Sequence, residues 1–155
     1  KFGKPSLVGI ATGAIAGLAT ITPGSGFVGP VGGLVFGFLA GIICFYMINI
    51  VKVKWKIDDS LDVFAVHGVG GILGILLTSF FADKSLGGMG LPEGVTMGTA
   101  FMGQLLAVVV TVIWAGVASF VIVKIVQATV GLRVNSDEET EGLDITSHGE
   151  RSYDL

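Results

Sequence analysis

The sequence predicts an all-α fold, a polytopic bundle of membrane helices. Three observations carry that reading. Of 155 residues, 52% are hydrophobic and 14% are charged, against about 25% charged in an ordinary soluble domain. The charges are also segregated: no Asp, Glu, Lys or Arg occurs between Lys4 and Lys52, from Val63 to Ala82, or from Gly94 to Val123. Finally, four apolar segments reach the length of about 20 residues needed to cross roughly 30 Å of hydrocarbon.

The first segment covers about residues 6–22 and ends at Thr22-Pro23-Gly24-Ser25-Gly26, a tight-turn sequence. The second covers about 27–50 and is followed by the short basic loop Lys52-Val53-Lys54-Trp55-Lys56. The third covers about 60–82 and leads into a glycine-rich polar loop from Asp83 to Gly90. The fourth, about 94–130, is longer than one crossing requires, so it must tilt or protrude. Core helices of a soluble protein also make long apolar runs, but four in succession with almost no polar face exclude that reading. The membrane region is therefore 1–134. Residues 135–155 form a polar tail holding Asp137, Glu138, Glu139, Glu141, Asp144, Glu150 and Asp154 against Arg151 alone.

Lys and Arg in short loops set orientation. With four crossings, Lys1 and Lys4, then Lys52, Lys54 and Lys56, then Lys124 and Arg133 all fall on one side. That side is expected to be the cytoplasm, which places the C-terminal tail there too. Trp55 sits where an interfacial aromatic belongs. The chain opens on Lys1 and shows no secretory signal peptide, so the expectation is that it starts inside a longer protein. Its single cysteine, Cys44, lies in an apolar run and reads as a small packing residue.

Glycines recur at every fourth position: Gly9, Gly13 and Gly17; Gly29, Gly33, Gly37 and Gly41; Gly70 and Gly74. Lipid tails are as apolar as side chains, so burial alone does not drive membrane helices together; small residues that let backbones approach do. The ladders therefore predict close helix packing and not phosphate loops. Neither a Walker motif nor a supported GxGxxG is present. Paired acids within the spans, HExxH and a spaced Ser–His arrangement are also lacking, so an intramembrane enzyme is not expected. No metal, cofactor or nucleic-acid partner is expected either.

His67 is the one ionisable residue deep in the third span, and such a residue is a functional candidate by default. Burial favours the neutral imidazole, which still offers one donor and one acceptor. A purely structural histidine bonded to a neighbouring helix is the competing reading. On an α-helix, Val63, Phe64, Gly70 and Gly71 share the face of His67, giving an imidazole flanked by apolar groups and bare backbone. Asp62 is five residues away and turned from that wall; with Asp58 and Asp59 it is expected to cap or brace the start of the helix. Phe80 and Phe81 read as packing residues.

The run from Asp58 to Ile72, DDSLDVFAVHGVGGI, closely resembles the histidine-bearing helix of ammonium transporters of the Amt family. Gly13 to Pro23 resembles the span and turn two helices earlier. Gly131-Leu132-Arg133-Val134, Glu141-Gly142-Leu143-Asp144 and Ser147-His148-Gly149-Glu150 resemble the family's cytoplasmic tail. The resemblance covers essentially the whole chain and is nearer to the Amt branch than to the Rhesus-type relatives. It implies an eleven-helix fold, of which these would be the last four helices, and a homotrimer with one pore per subunit in the plasma membrane. It implies that His67 is the second of two pore histidines that relay a proton while ammonia crosses, with Val63 beside it and Asp62, Gly70 and Gly71 supporting the helix. The first histidine, the outer recruiting site and the phenylalanine gate belong to earlier helices and would come from the N-terminal remainder of the transporter. The tail, through Gly131, Arg133, Gly142, Asp144, His148 and Gly149, would bind a PII-type signal protein; a simply solvated acidic tail is the alternative. Transport of ammonium or ammonia is the function implied, with an ammonium sensor acting through the tail as the second reading.

Overall fold

The computed structural model describes residues 6–151. Lys1, Lys4 and Asp154, which entered the charge argument, lie outside the described residues. The chain divides into two units, Lys1–Val109 and Val110–Leu155. Among the described residues there is helix and loop but no strand.

The first unit is built on three packed helices. Helix α1, Leu7–Ile21, starts where the Ser6 hydroxyl accepts the Gly9 N–H at 3.0 Å. It stops at a 3₁₀ turn, Thr22–Gly24, because Pro23 brings no N–H to continue the ladder. Pro30 reopens the chain at the first position of α2, Pro30–Asn49, the place where its missing donor costs nothing. The axis continues into a π-helical turn, Ile50–Lys54. A second π-helical turn, Phe64–Gly68, runs directly into α3, Val69–Phe81. Helix α1 packs against both α2 and α3. The shared core is made of small groups, Ala16, Ala40, Cys44 and Val66, with Ile48 against its edge. Phe36 is wholly buried and meets Phe81 edge to face at 5.6 Å, while Phe80 packs on Phe101 at 5.5 Å.

Glycine decides how closely the helices approach. A Cβ on Gly74 would stand 1.9 Å from the carbonyl oxygen of Thr20, so α1 and α3 touch backbone to backbone there. At Gly70 the neighbours are Thr20 Oγ1 and Cys44 Sγ. The ladders expected on the first two helices behave differently. A Cβ on Gly17 would meet the Cα of Gly37 at 3.8 Å, an ordinary contact, but Gly13, Gly33, Gly37 and Gly41 would each place a Cβ in open space among the described residues. Period alone marks a smooth face and does not say what covers it.

Beyond α3, the Asp83 carboxylate accepts the Ser85 N–H at 2.8 Å and starts a 3₁₀ turn, Lys84–Leu86. Hydrogen bonding from Ser85 holds this carboxyl below its usual range. Met89 N–H donates to the Phe27 carbonyl, tying this loop to the α1–α2 connection. Helix α4, Met97–Thr129, has 33 residues, none of them buried; at 1.5 Å per residue it is about 50 Å long, beyond the roughly 30 Å of hydrocarbon. It begins three residues later than the apolar run suggested. Among the described residues, four helices are thus long and apolar enough to cross a membrane: Leu7–Gly24, Pro30–Lys54, Phe64–Phe81 and Met97–Thr129.

In the second unit α4 is closed off by Gly131, two residues past its end, whose φ of 83° lets its N–H turn back to the Val126 carbonyl at 3.1 Å. Two short helices follow, α5, Ser136–Glu141, and α6, Leu143–Thr146. Asn135 and Glu138 form a reciprocal capping box at the start of α5.

Candidate functional site

The segment that carries His67 is held from its N-terminal side. The Asp59 carboxylate accepts three backbone N–H groups, from Val63 at 2.8 Å, Phe64 at 3.0 Å and Ala65 at 3.3 Å. These are donors that the first turn of a helix cannot satisfy internally. Asp58 has a different task, accepting the Ser60 hydroxyl at 2.9 Å. Asp62 does not cap. It takes a left-handed backbone, φ 57°, and its carboxylate pairs with Lys52 at 2.7 Å. The Lys52 ammonium also reaches the Ser60 carbonyl at 3.4 Å, so one lysine in the turn after α2 holds the end of the loop at two points.

His67 follows within the π-helical turn. Its imidazole is exposed, on the same side as Val63 and Phe64, which are 53% and 50% exposed. Ala65 and Val66 point the other way into the core, and the Val66 carbonyl receives a weak contact from Cys44 Sγ at 3.9 Å. The face is apolar: Trp55 stacks obliquely on Phe64, with ring centres 6.5 Å apart. The imidazole nitrogens bond nothing among the described residues.

Gly70 does not join this face. α-Helical spacing placed it beside His67, but it is buried against Thr20 and Cys44. It stands four residues after the buried Val66 and continues that buried stripe into Gly74 and Thr78. Gly71 is half-buried and would meet nothing within 4 Å.

A cleft of about 940 Å³ opens on another side of the unit. Thr12, Ala16, Cys44, Asn49, Lys52 and Asp62 are among its walls, and His67 is not. Asp62 and His67 therefore do not share this cleft. Among the described residues no three His, Cys, Asp or Glu converge to hold a metal ion.

In the tail, Arg133 grips Glu139 with two hydrogen bonds, Nε to Oε2 at 3.0 Å and Nη2 to Oε1 at 2.7 Å. Hydrogen bonding and charge from Arg133 lower the Glu139 carboxyl below its usual range. Gly142 has φ 104° and Gly149 φ 66°, backbone conformations that favour glycine. Between them the His148 N–H bonds Leu143 and the Asp144 carbonyl accepts from Glu150. These bonds fold the acidic tail into a local structure, with its side chains almost wholly exposed.

Sequence reasoning singled out His67 because an ionisable group stands alone in an apolar run. It missed the partnership of Lys52 with Asp62. Ten positions separate the two, and no local period connects them.

Comparison with known proteins agrees with this architecture. The chain is 42% identical to an ammonium transporter of Aquifex aeolicus over 158 residues, covering 99% of this chain and 36% of that protein. It is 42% identical to ammonium transporter Amt1 of Archaeoglobus fulgidus, covering 97% and 38%. An ammonium transporter of Bacillus subtilis is 40% identical, covering 97% and 37%. A solved structure described as a sensor Amt protein superimposes with a TM-score of 0.83 at 30% identity, covering 95% of this chain and 36% of that one. The chain thus spans somewhat more than a third of the length of these relatives. The sequence profile of the Ammonium Transporter Family matches residues 1–153, and, with four apolar helices and this similarity to a solved Amt structure, this multi-pass membrane chain belongs to that family.

Proposed function

We propose that this chain forms one wall of a pore that conducts ammonium or ammonia, with His67 in the conduction path and Val63 beside it. The observation that carries this reading is the position of His67. The imidazole stands on an exposed, otherwise apolar face, on a backbone turned outward by a π-helical segment and anchored by Asp59. Irregular helix of this kind is often found at functional sites. An imidazole gains and loses a proton nearest neutral pH of all side chains, so here it can pass a proton while a small neutral base crosses. The action is transport and not bond chemistry. The remaining wall, including a second histidine, would come from the N-terminal part of the transporter, in a homotrimer in the plasma membrane with the C-terminus in the cytoplasm.

A second reading is an ammonium sensor that works through its tail and a PII-type signal protein. Two observations favour it: the similar structure is described as a sensor, and the tail has a defined fold with Arg133, Asp144 and His148 on its exposed surface. One experiment separates the two. Ammonium-driven flux is measured in liposomes holding the full-length protein, with and without His67→Ala, by current and by an internal pH dye. The pore reading expects flux in the parent that the substitution abolishes or alters. Unchanged flux in His67→Ala removes the histidine from the mechanism, and no flux by either readout from a folded parent leaves the sensor.

A further inference from the structure

We infer that Lys52 is a positioning residue for His67, acting through Asp62. This rests on the reading that places His67 in the conduction path, and it assigns a role to a residue outside that path. Asp62 lies in the left-handed region at φ 57°, where an L side chain is strained and persists only if its surroundings hold it there. Asp tolerates this conformation better than most residues, and what holds it here is specific. Lys52 Nζ lies 2.7 Å from Asp62 Oδ1, with the two side chains 38% and 18% exposed. The same ammonium reaches the Ser60 carbonyl, two residues before Asp62.

The strained residue is directly coupled to the histidine turn. The Asp62 carbonyl accepts the Val66 N–H at 2.8 Å, one residue before His67. The next three N–H groups, of Val63, Phe64 and Ala65, are taken by Asp59. The direction in which the chain leaves Asp62 therefore sets the direction in which the π-helical turn presents its side chains. Lys52 lies in the π-helical turn Ile50–Lys54, so the ion pair joins the two irregular turns across the loop. An apolar contact could close the same loop, but it could not draw the Asp62 carboxylate to one point and so hold its backbone in the left-handed basin.

The test uses the full-length protein in liposomes, three single variants and one double: Lys52→Met, which keeps the stem and removes the charge, Lys52→Arg, which keeps the charge, Asp62→Asn, which keeps the tolerance for the left-handed backbone, and Lys52→Met with Asp62→Asn. Two readouts are needed, ammonium-driven flux and the ¹⁵N NMR signal of the His67 imidazole, identified by its loss in His67→Ala. The expected result is a roughly tenfold fall in maximal flux for Lys52→Met and for Asp62→Asn, with the half-saturating ammonium concentration unchanged. The imidazole signal should shift in both and return in Lys52→Arg, and the double variant should be no worse than either single one. A folded Lys52→Met or Asp62→Asn with parental flux and an unmoved imidazole signal overturns the inference. So does a fall in flux with the imidazole signal unmoved, which is a merely structural effect. If Lys52→Met does not fold, Asp62→Asn against Lys52→Arg decides. Failure of the underlying reading looks different: His67→Ala leaves flux unchanged, and the imidazole signal alone then decides whether Lys52 positions the ring.

Discussion

The contact between Gly74 and Thr20 gives a sharp test of how this bundle is held together. Gly74→Ala adds one methyl group. Its carbon would sit 1.9 Å from the Thr20 carbonyl oxygen, 2.9 Å from the carbonyl carbon and 3.2 Å from the Cα. Ordinary van der Waals contact begins near 3.4 Å, so the nearest atom is too close by about 1.5 Å, and the obstacle is backbone that no rotamer change can remove. Thr20 is wholly buried, and Gly74 is itself tied to Thr78 by a 2.8 Å hydrogen bond; relief requires α1 and α3 to move apart. Overpacking of this kind costs about 1–3 kcal/mol, occasionally more. Alanine also gains about 0.8–1.0 kcal/mol of helix propensity over glycine, which would blur a single measurement. Gly37→Ala supplies the control, because a Cβ there meets nothing within 4 Å. Propensity cancels between the two variants, and their difference isolates the clash at about 1–3 kcal/mol. The assay is equilibrium unfolding of the detergent-solubilised protein by a denaturing detergent, reading midpoint and slope together. Equal midpoints for Gly74→Ala and Gly37→Ala would show that α1 and α3 do not meet at this point.

Two further predictions follow from the site and the tail. Asp59→Ala removes the acceptor for three backbone N–H groups and should cost about 0.5–2 kcal/mol, read as faster amide exchange at Val63, Phe64 and Ala65 while α1 amides are unaffected. In the tail, the Glu139 carboxyl is depressed first by its hydrogen bond from Arg133 and then by the guanidinium charge. Its folded value lies below the ordinary 4.5, so its contribution is complete above that pH and is lost as pH falls through the lower folded value. The protection of α5 amides, measured against their intrinsic exchange rate at each pH, should therefore fall on acidification below about 4.5, and Glu139→Gln should abolish that response; a loss of protection that survives in Glu139→Gln would assign it elsewhere.

The architecture was legible because bilayer physics writes itself into composition. Long charge-free runs have few other uses, and Thr22-Pro23-Gly24 and Pro30 mark helix ends by what proline lacks. His67 stood out for the same reason. What escaped was the hydrogen-bond register around it. A π-helical turn and an α-helical turn differ by one residue in bonding, and the choice is made by tertiary packing, here by Val66 and Gly70 seating against Cys44 and Thr20. No period in the segment announces that turn. The Lys52–Asp62 pair was hidden likewise, because a left-handed Asp62 reverses the loop between them and local spacing assumes no such reversal. The glycine repeats were informative about smoothness and silent about partners: Gly74 is locked against backbone, while Gly33 and Gly41 face open space.

The π-helical turn also limits how this chain can change in length. Each residue of an α-helix rotates its neighbours by about 100°, so removing one residue from Phe64–Gly68 would relax the turn to an ordinary helix and swing Val63 and Asp62 around the axis. Lys52 would lose its partner, and His67 would trade faces with the core. Insertion would be equally disruptive, since the surplus residue is already accommodated there. The exposed stretch 92–94, between the 3₁₀ turn and α4, carries no such phase relation. A one-residue change in length is therefore expected to be tolerated in that loop and to disrupt the histidine segment.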